Sequence, residues 1–272
     1  MNLKHAICKV TPAPIIRWGK WALDASYRRR SQEIVGLKAM PRYQPTVVNF
    51  MEKPLEIIDA PSFLDMYEEI FDQQIYRFKT SQPTPYIIDG GANIGLSILY
   101  FKSLYPNSRI VAFEADEQVF EVLKRNIQGW GYDDVDLNCC ALWSSETSLS
   151  FMSEGTYAGR LSVARDRQDR LTRTVRLRGY LDRPVSLLKL DIEGAETEVL
   201  KDCADLLCNA ENVFVEYHSF PDMPQTLDLV LNILTAAGFR FHIHAHSHSP
   251  QPLIKRTLAF GMDMQLNIYA YR

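Results

Sequence analysis

No apolar run in this 272-residue chain approaches the ~18 residues that a bilayer span requires, so no transmembrane helix is expected. Met1–Pro14 carries basic residues but lacks the long apolar stretch of a secretory signal. Cysteine is scarce. The five residues, Cys8, Cys139, Cys140, Cys203 and Cys208, form no C-x-x-C pair and are odd in number. That pattern argues against a zinc ribbon or a disulfide framework and for a reducing compartment. A cytoplasmic location is therefore expected. Net charge is only -3, which does not suggest a nucleic-acid binder. Repeats and low-complexity segments are absent too.

What remains is a chain that is 46% apolar, enough for one large α/β domain with an extension. Its charge is uneven: residues 1–58 hold ten Lys/Arg against four Asp/Glu. Ile15, Trp18, Ala22 and Ala25 recur at helical spacing and lead into Arg28-Arg29-Arg30. The stretch 15–30 is thus a basic amphipathic helix that could meet a membrane surface or a partner. Pro41, Pro45 and Pro54 make 40–58 a linker with short extended pieces. The expected division is a basic helical extension and linker over 1–60, then one domain over 61–272.

Tyr86-Ile87-Ile88-Asp89-Gly90-Gly91-Ala92-Asn93-Ile94-Gly95 reads as strand, glycine-rich turn and helix start. Such a turn lets a ligand approach the backbone and helix N–H groups. As a dinucleotide fingerprint it is blurred, with Ala92 at the second glycine. Asp89 would repel a pyrophosphate but suits a cationic ligand such as S-adenosylmethionine (SAM). From there, strands and helices alternate. A helix is predicted over Pro61–Phe78, and strands at Tyr86–Asp89, Arg109–Glu114, Val135–Cys139, Ser186–Asp191, Val213–Tyr217, Phe239–His244 and Gln265–Tyr271. A hairpin is expected at Ser148–Met152 with Leu161–Ala164. Helices are expected at Ile94–Leu104, Asp116–Gln128, Ala195–Leu207 and Thr226–Ala237. This alternation means a mainly parallel sheet covered on both faces.

Ligands of such sheets sit at the C-terminal strand ends. Those ends carry Asp89, Glu114, Cys139-Cys140-Ala141, Asp191 and Glu216-Tyr217-His218. An acid placed like Glu114 accepts hydrogen bonds from both ribose hydroxyls, in NAD and SAM alike. Leu188-Lys189-Leu190-Asp191-Ile192-Glu193-Gly194-Ala195-Glu196 gathers four charged residues where a strand turns into a helix.

The glycine turn, Phe113-Glu114, Leu123-x-x-Asn126, the Lys189–Glu196 motif, Val215–His218 and Asp263–Ala270 together resemble the FkbM-type family of SAM-dependent methyltransferases. The likeness spans about residues 62–272. It implies a class I, Rossmann-like, doubly wound fold of seven strands, the last antiparallel. It also implies SAM as cofactor and, usually, a hydroxyl acceptor on a sugar, nucleotide sugar or natural product. Gly90 stands where an apolar residue is usual, and Ala115 where Pro is usual. By position, Asp89 and the turn Gly90, Gly91, Ala92, Asn93 and Gly95 would hold the methionine end. Glu114 with Ala115 would take the ribose, Cys140 or Ala141 the adenine, and Asp191 would lie near the methyl group. His218 is the first candidate for the base, since an unperturbed histidine titrates near neutrality; Asp191 and Glu193 come next. No metal is expected, although Asp191, Glu193 and Glu216 could hold one. His242, His244, His246 and His248 alternate and would share a strand face; a zinc site or an acceptor wall are both open to them. Arg165, Arg167, Arg170 and Arg173 could bind acceptor phosphates. The rival functions are an NAD-dependent oxidoreductase and a non-catalytic binding protein that keeps the fold.

Overall fold

The computed structural model describes residues 35–152, 160–162, 170–247 and 249–272. The basic helix expected over 15–30, Cys8, Arg165, Arg167 and His248 lie outside them.

The stretch read as a linker is a β-hairpin. Strands β1 (Thr46–Phe50) and β2 (Lys53–Ile57) pair antiparallel. Met51 and Glu52 turn between them with φ of 47° and 66°. Two left-handed residues in a two-residue turn match the twist of the flanking strands. Phe50, Leu55 and Ile57 point into the same core as the main sheet, so the hairpin is packed structure rather than tether. Asn126 holds it down: its Oδ1 accepts from Glu56 N at 2.8 Å, while its Nδ2 donates to Glu56 O and Ile94 O at 2.9 Å each.

Helix α1 (Ala60–Tyr67) starts on Asp59, whose side chain accepts from Ser62 N at 3.1 Å. It widens into a π-helical turn over Glu68–Asp72 and stops there, short of the expected Phe78. Gln74 has φ of 59°, which breaks the helix and lets Tyr76 fold back under it.

The seven-stranded sheet follows. Strands β3 (Tyr86–Gly90), β4 (Arg109–Glu114), β5 (Val135–Cys139), β10 (Leu187–Leu190), β11 (Asn212–Ser219), β12 (Arg240–Ser247) and β13 (Met264–Tyr271) order as β12-β13-β11-β10-β3-β4-β5. Only β13 runs against its neighbours, as the resemblance implied. Ile87, Ile110, Ala112 and Phe214 face one layer; Ile88, Val111, Phe113, Leu188 and Val215 face the other. Helices α2 (Leu96–Leu104) and α3 (Glu117–Trp130), with α1 and the hairpin, cover the first face. Helices α4 (Glu196–Asp202) and α5 (Leu227–Ala236) cover the second. Apolar side chains on both faces of one sheet require this double cover. Helix α3 runs past the expected Gln128 to Gly131, which takes φ of 75°. Helix α4 ends early and the chain tightens to a 3-10 helix over Ala204–Asn209.

Strands β6 (Ala141–Trp143), β7 (Ser148–Met152), β8 (Arg160–Ser162) and β9 (Arg170–Arg176) make a second sheet, ordered β6-β9-β7-β8. The predicted hairpin of β7 and β8 is part of it. Its β6 begins directly after Cys140 and so borders the strand-end crevice.

Candidate active site

The turn after β3 is set by sterics. Gly91 has φ of +80°, and a Cβ there would lie 1.8 Å from Asp191 O. Any side chain would thus drive the two motif loops apart. Asn93, at φ of 48°, is of the type that tolerates this region. Gly91 N and Ala92 N donate to Phe113 O at 3.0 and 2.9 Å, which ties the turn to β4. Glu114, at the end of β4, then takes Asn93 N on Oε2 and Asp116 N on Oε1, both at 2.9 Å. Burial pushes its carboxyl up to about 7, against the pull of those two donors. Each oxygen keeps a second lone pair for a ligand hydroxyl.

Behind the turn, Lys189 is buried in β10. Its Nζ donates to Gly90 O and Gly91 O at 3.1 and 2.8 Å. Asp89 Oδ1 lies 3.1 Å away, off the hydrogen-bond axis, and Asp191 Oδ2 3.5 Å away. Burial works against the ammonium charge, but Asp89, Asp191 and Glu216 outweigh it and push its pKa to about 12. Asp89 Oδ2 accepts from Ser97 Oγ at 2.5 Å.

The second motif folds around Glu196. This side chain accepts from Ile192 N and Gly194 N, each at 3.1 Å, and Oε1 lies 2.9 Å from His218 Nδ1. His218 Nε2 is 3.6 Å from Glu193, 3.8 Å from Glu216 and 3.9 Å from Asp191. Burial opposes charge on the ring, yet Glu193, Glu196 and Glu216 raise its pKa well above the ordinary histidine range. Burial, with Asp191 adding, pushes Glu216 to about 8 and Glu193 well up.

The glycine turn, Glu114, Lys189, Asp191, Glu193 and Glu216 border one cavity of about 390 Å³ at the C-terminal strand ends. Gly91–Asn93, Glu114, Ala115, Phe113, Cys140, Ala141 and Leu142 line one end of the sequence of walls; Asp191, Glu193, Glu216 and Gln265 continue it. Residues 89–241, more than half of the chain, match the methyltransferase FkbM domain.

The chain belongs to the FkbM methyltransferase family.

Curated relatives agree. Methyltransferase sdnD of Sordaria araneosa is 31% identical over 173 aligned positions, in a match that covers 50% of this chain and 67% of the relative. Methyltransferase 1 of Beauveria bassiana (strain ARSEF 2860) is 29% identical over 166 aligned positions, in a match that covers 52% of this chain and 67% of that one. Among solved structures, methyltransferase FkbM from Methylobacillus flagellatus KT matches with a TM-score of 0.50 at 15% identity. The match covers 74% of this chain but 46% of that protein, so it speaks for the fold alone. The methyltransferase uses SAM as its cofactor. The donor set fits: a bare glycine turn, a buried carboxylate with free lone pairs, and an apolar flank.

Of the residues singled out in the sequence, Gly91, Ala92, Asn93, Glu114, Ala115, Cys140, Ala141, Asp191 and Glu193 line the cavity of this methyltransferase. Asp89, Gly90, Gly95 and His218 do not. Asp89 is fully buried behind the wall, occupied by Ser97 and Lys189. A Cβ on Gly90 would press Leu142 at 2.9 Å, and one on Gly95 would press Leu123 at 2.9 Å; both are packing positions. His218 faces carboxylates rather than the cavity. His242 and His244 share a face of β12, but a β-bulge between Ala245 and Ser247 breaks the alternation at His246, which alone of the three lines the cavity. Arg173, on β9, does not itself line the cavity, but its guanidinium meets the thiol of Cys140, which does. Residues the sequence did not flag are Glu69, from the π-helical turn, and Tyr76. Burial, with Asp191, Asp65 and Glu68 adding, pushes Glu69 to about 7. His246 Nδ1 stands 3.3 Å from Glu69 Oε1, and burial lowers the pKa of that histidine. Helical apolar spacing runs unbroken through Phe63, Tyr67, Ile70, Phe71 and Ile75, so the sequence carried no signal for Glu69.

No helix among the described residues is long and apolar enough to cross a membrane.

Proposed function

We propose that this methyltransferase acts on a hydroxyl of a small-molecule or glycan acceptor. The observation that carries the reading is the lining of the cavity beyond the glycine turn. Asp65, Glu68, Glu69, Glu193, Glu216 and Gln265 stand there, and among the described residues Lys189 and His246 are the basic side chains on its wall. Carboxyl groups and an amide exchange hydrogen bonds with hydroxyls, whereas a phosphate needs cationic partners that this wall scarcely offers. The lining therefore favours a sugar or polyhydroxylated natural product over a nucleotide sugar.

When bound, SAM supplies an electrophilic methyl group on sulfur. The Gly91–Asn93 backbone would face its methionine end, Glu114 would accept the ribose hydroxyls, and Phe113, Ala115, Cys140, Ala141 and Leu142 would wall the adenine. Asp89 would act through Lys189, holding the turn rather than touching the cofactor.

Transfer needs the acceptor proton removed as the oxygen–carbon bond forms and the carbon–sulfur bond breaks. We assign that role to Glu69. It lines the cavity, its pKa of about 7 suits a base at neutral pH, and His246 orients it. His218, the first expectation for the base, would instead position Asp191 and Glu193.

The test is incubation of the full chain with methyl-labelled SAM and fractionated small-molecule extract, with transfer RNA in a separate arm. Labelled methyl ether on a neutral or basic small molecule is the expected product. Label on nitrogen, carbon or RNA would overturn the reading.

A further inference from the structure

His218 presents its Nε2 to three carboxylate oxygens at once, from Glu193 at 3.6 Å, Glu216 at 3.8 Å and Asp191 at 3.9 Å. Those distances exceed a hydrogen bond, and a single ring N–H could not serve three acceptors in any case. One ligand atom each from Asp191, Glu193 and His218 lie within 4.8 Å of one another. Ligands held at roughly 2.0–2.2 Å from a first-row divalent cation are themselves roughly 3–4 Å apart. The three separations from His218 Nε2 fall in that range, as around one shared cation.

Two further features point the same way. The His218 side chain is 1% exposed, and Glu193 Oε2 is sealed from solvent without a hydrogen-bond partner. On the far side of the ring, Nδ1 meets Glu196 Oε1 at 2.9 Å, and Glu196 is itself fixed by Ile192 N and Gly194 N. A carboxylate on the distal nitrogen is the arrangement that orients a metal-bound imidazole. Gln265 Nε2 in turn donates to Glu216 Oε1.

We propose that Asp191, Glu193 and His218, with Glu216 beside them, bind one divalent cation of the Mn²⁺ type. A single imidazole among oxygens suits Mn²⁺ or Fe²⁺ better than Ca²⁺. Asp191, Glu193 and Glu216 line the cavity, so the open coordination positions face the acceptor. A cation there can polarise an acceptor oxygen as a Lewis acid. Glu196 is a positioning residue. The assignment reaches beyond methyl transfer to oxygen and stands or falls on metal binding alone.

The experiment titrates MnCl₂ into chelator-treated full-length protein, with free Mn²⁺ followed by electron paramagnetic resonance. One Mn²⁺ per chain is expected, with imidazole nitrogen modulation in the pulsed spectrum. Glu193→Gln and Asp191→Asn should each weaken binding at least tenfold, and Glu196→Gln roughly 10–100-fold, as for outer partners of a metal-bound histidine. His218→Gln should remove the nitrogen modulation. Circular dichroism of each variant checks that it is folded. Absence of saturable binding by the wild-type chain up to millimolar Mn²⁺ would overturn the assignment. So would binding without nitrogen modulation, or affinity unchanged in folded Glu193→Gln.

Discussion

Lys189 Nζ lies 3.1 Å from Asp89 Oδ1, and both side chains are sealed from solvent at 2% and 0% exposure. This pair joins the two sequence motifs from beneath. Lys189 comes from the second motif and holds carbonyls of the first, Gly90 and Gly91. The acid at the end of β3 therefore acts on the glycine turn through a lysine.

Removing the lysine alone should be costly. Lys189→Met leaves Asp89 buried with only Ser97, and breaking one side of a buried pair costs about 3–5 kcal/mol. Urea denaturation should show that loss. The double variant Asp89→Asn with Lys189→Met should recover part of it, because no uncompensated charge remains. A single variant as stable as the wild type would contradict the pairing.

Glu114 should matter for cofactor affinity more than for turnover. Hydrogen bonds to a charged group contribute about 1.5–3 kcal/mol, so Glu114→Gln should weaken SAM binding roughly ten- to hundredfold. Isothermal titration calorimetry measures this directly. Unchanged affinity would remove Glu114 from the ribose site.

The rate should depend on pH through Glu69. Its carboxyl is raised to about 7, so the basic form is scarce below that value and dominant above it. Turnover should climb as pH rises toward 7 and level off beyond. Glu69→Gln should lower kcat by about 10²–10⁴-fold, the range of a positioned base, with KM for SAM kept. A Glu69→Gln enzyme with wild-type turnover would move the role elsewhere.

Asn126 should be a stability residue. It bonds both backbone groups of Glu56 and the carbonyl of Ile94. Asn126→Ala strands those groups, at about 2–4 kcal/mol for one or two unmet buried partners. Thermal unfolding should show the drop, and chains truncated before residue 61 should lose stability as well, because Phe50, Leu55 and Ile57 leave the core with the hairpin.

The order of strands and helices and the rim of acids were legible in the sequence because both are local. Continuous apolar runs such as Ile87-Ile88 and Ile110–Phe113 mark strands buried on both faces, and the residue ending each strand must fall at the same sheet edge. Gly91 was legible for the same reason: its backbone geometry admits no side chain. The hairpin was not, because Pro41, Pro45 and Pro54 read as breaks, while Pro54 sits on a two-stranded ribbon that needs few ladder bonds and gains its hold from the distant Asn126. The aim of each acid was also hidden. Asp89, Glu193 and Glu114 look alike in sequence, yet Lys189, His218 and the N–H of Asn93, each brought from another segment, decide which carboxylate faces the cavity. A chain fixes its own φ, ψ and apolar period residue by residue; the electrostatic partner of a buried charge is fixed only when remote segments pack.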